Sequence, residues 1–319
     1  MIIGHQRILE YLKKSVQKKK VAHAYLFVGP ENVGKRTMAF EFIKMLIGQE
    51  IETGVHPDIL IIEPSAVEKE AVKKEKEIGI KEARRIRHQM SLSPYQALYK
   101  IALIDGAERM TRDAANALLK TLEEPSGKAV LILITANPQM LLPTIISRCQ
   151  IIKFLPVPLE EIEKSLYIRD KIPARIATQS VAGGQDTRHK KIIRLCFGRP
   201  GLAIQYLENP KLLEKQEETL KELQKIIQSD LNERYQYAES LSKDTTQARK
   251  ALEQWLIYFR DLLLSAANCK DLTLFGFFRS NYSLAQIRSI IQEIKKTDLL
   301  LANPSINGRL ALEVLMLEF

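Results

Sequence analysis

Gly29-Pro30-Glu31-Asn32-Val33-Gly34-Lys35 is the stretch of this chain best equipped for chemistry. It has the pattern G-x-x-x-x-G-K. Glycines of that pattern let backbone N–H groups converge on phosphate oxygens, a helix N-terminus faces the anion, and the lysine reaches the outer phosphates. The next residue in such a loop is Ser or Thr, whose hydroxyl holds Mg²⁺; here it is Arg36. A long cation in the place of a magnesium ligand argues against ordinary hydrolysis. Thr37 offers a hydroxyl one residue late, a rotation of about 100° on a helix, and is expected to point elsewhere.

A second group of residues is expected beside this loop. Asp105 ends an apolar run and has the position of the carboxylate that faces a phosphate-binding loop. Its plain alternative is a turn or helix-cap residue. Active ATPases of this class carry an acid immediately after that aspartate to position water; this chain has Gly106, and the next acid is Glu108. Phosphoryl transfer depends almost wholly on positioning and charge placement, so losing both the hydroxyl and the acid makes a competent hydrolase improbable. Asn137 follows another apolar run, and Arg148 lies in Ser147-Arg148-Cys149 just before the last one. An isolated arginine is usually a surface ion-pair partner. At this place it is offered toward a neighbouring subunit, where an arginine supplied in trans can raise a rate by ~10³–10⁵.

The elements that must position these residues follow from periodicity. Tyr25–Val28, Ile59–Ile62, Tyr99–Ile104, Val130–Thr135 and Ile151–Phe154 read as buried strands. Helical spacing runs from Thr37 to Ile43, Lys81 to Met90 and Thr111 to Leu122. Alternating strands and helices imply an α/β fold with a parallel, doubly wound sheet. Ligands then sit outside the carboxyl ends of the strands, where Gly29–Lys35, Asp105 and Asn137 fall. Val67–Lys76 is charge-dense, lacks apolar periodicity and reads as an exposed excursion. Pro156-Val157-Pro158 and Asn209-Pro210 mark boundaries. The expected division is a sheet domain at 1–157, a small helical domain at 158–208 and an all-helical domain at 209–319.

The chain has 319 residues, enough for two or three domains, with 45% hydrophobic and 27% charged residues. Its 48 Lys+Arg against 38 Asp+Glu give +10, which permits nucleic-acid contact, although no sequence-reading motif is present. Cys149, Cys196 and Cys269 are too far apart in sequence for a C-x-x-C pair, which disfavours a metal site and suits free thiols in a reducing cytoplasm. No apolar run reaches transmembrane length, so no membrane association is expected.

Three stretches together carry a resemblance: Gly29–Lys35, Asn116-Ala117-Leu118-Leu119-Lys120-Thr121-Leu122-Glu123-Glu124-Pro125, and Ser147-Arg148-Cys149. They resemble the clamp-loader branch of the AAA+ superfamily. Within it they are most similar to the delta-prime family of the bacterial DNA polymerase III holoenzyme. The resemblance is strongest from His23 to Phe154 and returns at Asn307–Glu313. It implies an AAA+ core, a helical lid and a C-terminal collar that oligomerises. It also implies a stator without intrinsic ATPase, one subunit of a DNA-directed DNA polymerase assembly. Its expected partners are delta and gamma/tau subunits in a hetero-pentameric ring, and through that ring a sliding clamp and primer-template DNA.

By resemblance, Arg148 matches the arginine donated in trans and Asn137 the sensor-1 place. Gly29, Gly34, Lys35, Arg36 and Asp105 match a degenerate nucleotide site. At the sensor-2 place Gly201 stands where active relatives carry Arg, with Arg199 offset by two positions. Many delta-prime relatives bind zinc through four cysteines after the loop helix; this chain has none between Gly48 and His56, so no zinc is expected. No cofactor is required, and the residues leave open whether the loop is empty or holds an unhydrolysed ATP or ADP. The alternative is an active gamma/tau-like or repair-type AAA+ ATPase, with Thr37 replacing the missing hydroxyl.

Overall fold

The computed structural model describes residues 2–48, 56–64, 77–125, 127–169, 189, 191–193, 195–267, 282–303 and 306–319. The excursion expected at Val67–Lys76, the glycine pair Gly183-Gly184 and Cys269 lie outside the described residues. The chain divides into two compact units, Met1–Val181 with Gly198–Leu202, and Ala182–Phe197 with Ala203–Phe319.

The first unit is built on a five-stranded parallel sheet. Its strands are β1 (Ala24–Val28), β2 (Ile59–Ile62), β3 (Lys100–Asp105), β4 (Ala129–Thr135) and β5 (Gln150–Lys153). They lie in the order β2-β3-β4-β1-β5, with every neighbouring pair parallel. The glycine-loop strand β1 therefore sits between β4 and β5. Neither β1 nor β4 exposes a face, because both sides of a parallel sheet are covered by helices.

Alternation along the strands sends side chains to two separate cores. Leu26, Ala102, Ile104, Leu131 and Leu133 face α3 (Ile80–Ser91) and α4 (Arg112–Glu123). Tyr25, Phe27, Ile101, Leu103 and Ile132 pack with Leu12 of α1 (Gln6–Gln17) and with Met38, Phe42 and Leu46 of α2 (Lys35–Ile47). The strands keep the expected positions with ends displaced by one residue. β3 starts at Lys100 rather than Tyr99 and includes Asp105; β5 runs from Gln150 to Lys153.

A buried ion pair locks the amino-terminal ends of β2 and β3. Asp58 is fully buried and meets Lys100 Nζ at 2.9 Å. It also accepts the backbone N–H groups of Tyr95, Gln96 and Ala97 at 2.7, 2.7 and 2.9 Å. Burial alone would raise the Asp58 pKa. The three amide bonds and the Lys100 ammonium outweigh it and hold the carboxyl well below the usual range.

The described part of the second unit is helical. After the short helix Pro200–Glu208, which straddles the unit boundary, come Pro210–Gln228, Leu231–Ser242, Thr245–Ala266, Leu284–Leu301 and Gly308–Leu317. The side chains of Asp230, Asp244, Ser283 and Asn307 accept the first free amides of the last four. Trp255, Phe259, Ile287, Ile290, Ile294, Leu312 and Leu315 are buried. The last helix leaves Leu310, Val314 and Leu317 exposed at i, i+4 and i+7. No described helix is long and apolar enough to cross a membrane.

Candidate functional site

The loop after β1 is shaped by two glycines used in different ways. A Cβ on Gly29 would lie 2.4 Å from the Phe154 carbonyl oxygen, so glycine is needed there for close packing against the end of β5. Gly34 has φ 105°, the left-handed region that glycine tolerates, and caps the start of α2. The loop is braced from outside by His5, whose Nε2 lies 3.0 Å from the Val33 carbonyl and whose ring packs edge-on against Phe154. Burial lowers the His5 pKa, which favours the neutral ring.

Beyond the loop lies a cavity of about 540 Å³. Asn32, Gly34, Lys35, Arg36 and Thr37 line it from the loop and α2, Asp105 and Glu108 from the end of β3 and the turn after it, and Glu63 from the end of β2. Gly34, Lys35, Arg36 and Asp105 are thus brought together as expected of a strand-end site. Gly29, Asn137 and Arg148 do not line it. Thr37, expected to turn away, contributes to the wall: the helix opens on the cavity N-terminus first, so its first three residues, Lys35, Arg36 and Thr37, border it.

The charges are arranged unlike those of a metal-dependent site. Lys35 is buried, and its ammonium donates to the Gly29 carbonyl and, at 2.6 Å, to the Pro30 carbonyl. Burial lowers its pKa, opposed by the nearby carboxylates of Glu108, Glu31 and Asp105. Arg36 bridges two carboxylates, donating one nitrogen to Asp105 Oδ2 at 3.1 Å and the other to Glu63 Oε1. Partial burial works against this charge, but the bonds and fields of Glu63 and Asp105 prevail and raise the guanidinium pKa. The Phe40 ring lies 5.5 Å from the guanidinium carbon, one turn along α2. Asp105 is therefore an ion-pair carboxylate; the cap of the following helix α4 is Thr111.

Magnesium does not fit this arrangement. The hydroxyl it would take from the residue after Lys35 is absent, and the carboxylate beneath is already bonded to a guanidinium.

At Gly201 the backbone packs closely against the loop. Gly201 N–H donates to the Asn32 carbonyl at 2.8 Å, and a Cβ there would come within 2.9 Å of that oxygen. Arg199, two residues earlier, is buried.

Arg148 is on the surface at the end of α5 (Pro143–Ile146). Its guanidinium bonds the Thr144 carbonyl at 3.0 Å and Glu123 Oε1 at 2.9 Å. Sequence reasoning missed Glu63 and His5. Glu63 was signalled only by its place directly after an apolar strand; its sharing of Arg36 with Asp105 depends on strand register.

With this geometry in place, the family model described as DNA polymerase III, delta subunit, matches residues 4–158. The matched stretch includes the loop, both carboxylates and Arg148, but not the helical unit. Among curated relatives, DNA polymerase III subunit delta' of Bacillus subtilis is 34% identical over 183 residues, 52% of each chain. Subunit delta' of Pseudomonas aeruginosa is 38% identical over 143 residues, 40% of this chain and 42% of that protein. The chain thus spans about half the length of the curated relatives it matches. Among solved structures, a DNA polymerase III gamma subunit-related protein of Thermotoga maritima covers 97% of both chains at 20% identity with a TM-score of 0.47.

Proposed function

We propose that this chain is the delta-prime subunit of a bacterial clamp loader, a stator that does not hydrolyse ATP and donates Arg148 to a neighbouring subunit. The observation that carries the reading is the Arg36 guanidinium bonded to Asp105. In a hydrolysing site that carboxylate serves a metal, and the metal and a water-orienting acid supply most of the catalysis. Here the carboxylate serves an arginine, Gly106 replaces the acid, and Gly201 leaves no room for a sensor arginine.

Arg148 does not line its own chain's cavity, and among the described residues it is held by the half-exposed Glu123 and one carbonyl. A guanidinium so placed is free to swing to a partner's γ-phosphate, where its planar fork matches developing charge. Asn137, at the sensor-1 place, is carried with the degenerate site and has no catalytic task in this reading.

The proposed division is a sheet domain to residue 157, a lid to 208 and a collar from 209 onward. The exposed Leu310, Val314 and Leu317 stripe supports the collar's role in joining delta and gamma/tau. The exposed Arg84, Arg85 and Arg87 of α3 suit contact with primer-template DNA through the ring. The stator role requires no cofactor and no zinc. Reconstitution with delta, gamma/tau, clamp and primed DNA tests the proposal: loading should depend on this chain, and Arg148→Ala should lower partner ATP hydrolysis with assembly intact. Loading that proceeds equally well without the chain would refute it.

A further inference from the structure

Glu63 and Asp105 end on adjacent strands at the same level. β2 and β3 pair with Ile62 opposite Ile104, so the next residues of each, Glu63 and Asp105, continue that register. Adjacent strands lie about 4.8 Å apart. Carboxylates on neighbouring strand ends repel one another, and a cation between them offsets that repulsion. Arg36 supplies it, with separate nitrogens to each.

We propose that the Arg36 guanidinium is the resident cation of this site, standing where a divalent metal would bridge the two strand ends, so that the chain neither needs nor admits magnesium there. Arginine cannot be deprotonated in a protein, so the replacement is permanent. Magnesium demands about six oxygens at about 2.0–2.1 Å and gives up water reluctantly. Glu63 and Asp105 are already donated to by N–H groups, and a fixed positive charge stands between them. The Phe40 ring beside the guanidinium and the start of α2 keep that charge in place. This inference deepens the non-hydrolysing reading of the same site. Its test contains no ATP and no partner subunit, so the two can fail separately.

The test is thermal unfolding of the full chain in MnCl₂ or EDTA, with bound Mn²⁺ counted by electron paramagnetic resonance. The wild type should unfold at the same temperature in both and bind no Mn²⁺ at this site. Arg36→Ser, which removes the cation and restores a hydroxyl, should unfold about 2–4 °C lower in EDTA. Mn²⁺ should recover most of that loss, and Glu63→Gln or Asp105→Asn added to Arg36→Ser should abolish the recovery. Arg36→Lys keeps a cation and should remain indifferent to Mn²⁺, which keeps the proposal testable if Arg36→Ser does not fold. Wild-type stabilisation by Mn²⁺ that Asp105→Asn removes would overturn it. So would an Arg36→Ser chain that folds yet ignores Mn²⁺, or an Arg36→Lys chain that binds it.

Discussion

Arg148→Ala, introduced in this chain alone within an otherwise wild-type ring, should lower DNA- and clamp-stimulated ATP hydrolysis without disturbing assembly. The magnitude follows from how the side chain is held. Its ion pair with Glu123 joins groups that are 35% and 48% exposed. Such pairs contribute about 0.2–1 kcal/mol, which corresponds to about a 1.4- to 5-fold effect at 1.36 kcal/mol per decade. An arginine acting in trans is worth ~10³–10⁵ in rate at the site it serves. Releasing Arg148 from Glu123 is therefore a small cost against the gain. Glu123→Gln should change turnover less than about fivefold, and upward. Arg148→Ala should silence the one site it serves. If the partner sites fire independently, total turnover falls by that one site's share, and by more if they fire in order. Arg148→Lys keeps the charge but loses the fork and should restore only part. The assay is steady-state ATP hydrolysis by the reconstituted ring with clamp and primed DNA. Unchanged turnover in Arg148→Ala, with the ring intact, would refute the reasoning and leave Arg148 a surface ion-pair residue.

Three further outcomes are expected. Asp58→Asn leaves the Lys100 ammonium buried without its carboxylate and should cost about 3–5 kcal/mol, read as a melting temperature lower by about 6–20 °C. Because folded Asp58 stays ionised to lower pH than in the unfolded chain, its contribution is complete above the ordinary carboxylate pKa of about 4 and fades below it. Wild-type unfolding scans should therefore lose stability on acidification by a component that Asp58→Asn lacks. Leu310→Glu with Val314→Glu, on an exposed helix face, should leave the melting temperature near wild type yet abolish co-elution with delta and gamma/tau; undiminished co-elution would contradict the collar assignment. Lys35→Ala removes the bonds to the Gly29 and Pro30 carbonyls and should loosen the loop while clamp loading stays near wild type; collapse of loading in an assembled ring would show that Lys35 works on nucleotide.

Much of the sheet was legible because buried parallel strands are apolar along their whole length, and Ala24–Val28 and Ala129–Thr135 are of that kind. The departures at Arg36 and Gly106 were legible too, since each breaks a fixed spacing. What Arg36 does instead was not. Its partner Glu63 lies 27 positions away, and the two meet only through the register of β2 on β3. The Asp58–Lys100 pair was hidden for a similar reason: both residues flank apolar runs, where charges usually mark solvent-facing ends, and only the fold of the Tyr95–Ala97 turn closes water out. Thr37 shows the limit of helical-wheel reasoning at a helix start. Rotation separates it from Arg36, yet both border a cavity that faces the end of the helix rather than its side.

The most direct test of the account is MgATP hydrolysis by the purified chain alone, with Lys35→Ala as control. With Arg36 between Glu63 and Asp105, and glycine at positions 106 and 201, the wild type should show no sustained turnover and should match the control. Multiple turnovers by the wild type that vanish in Lys35→Ala would contradict the stator reading and identify an active ATPase.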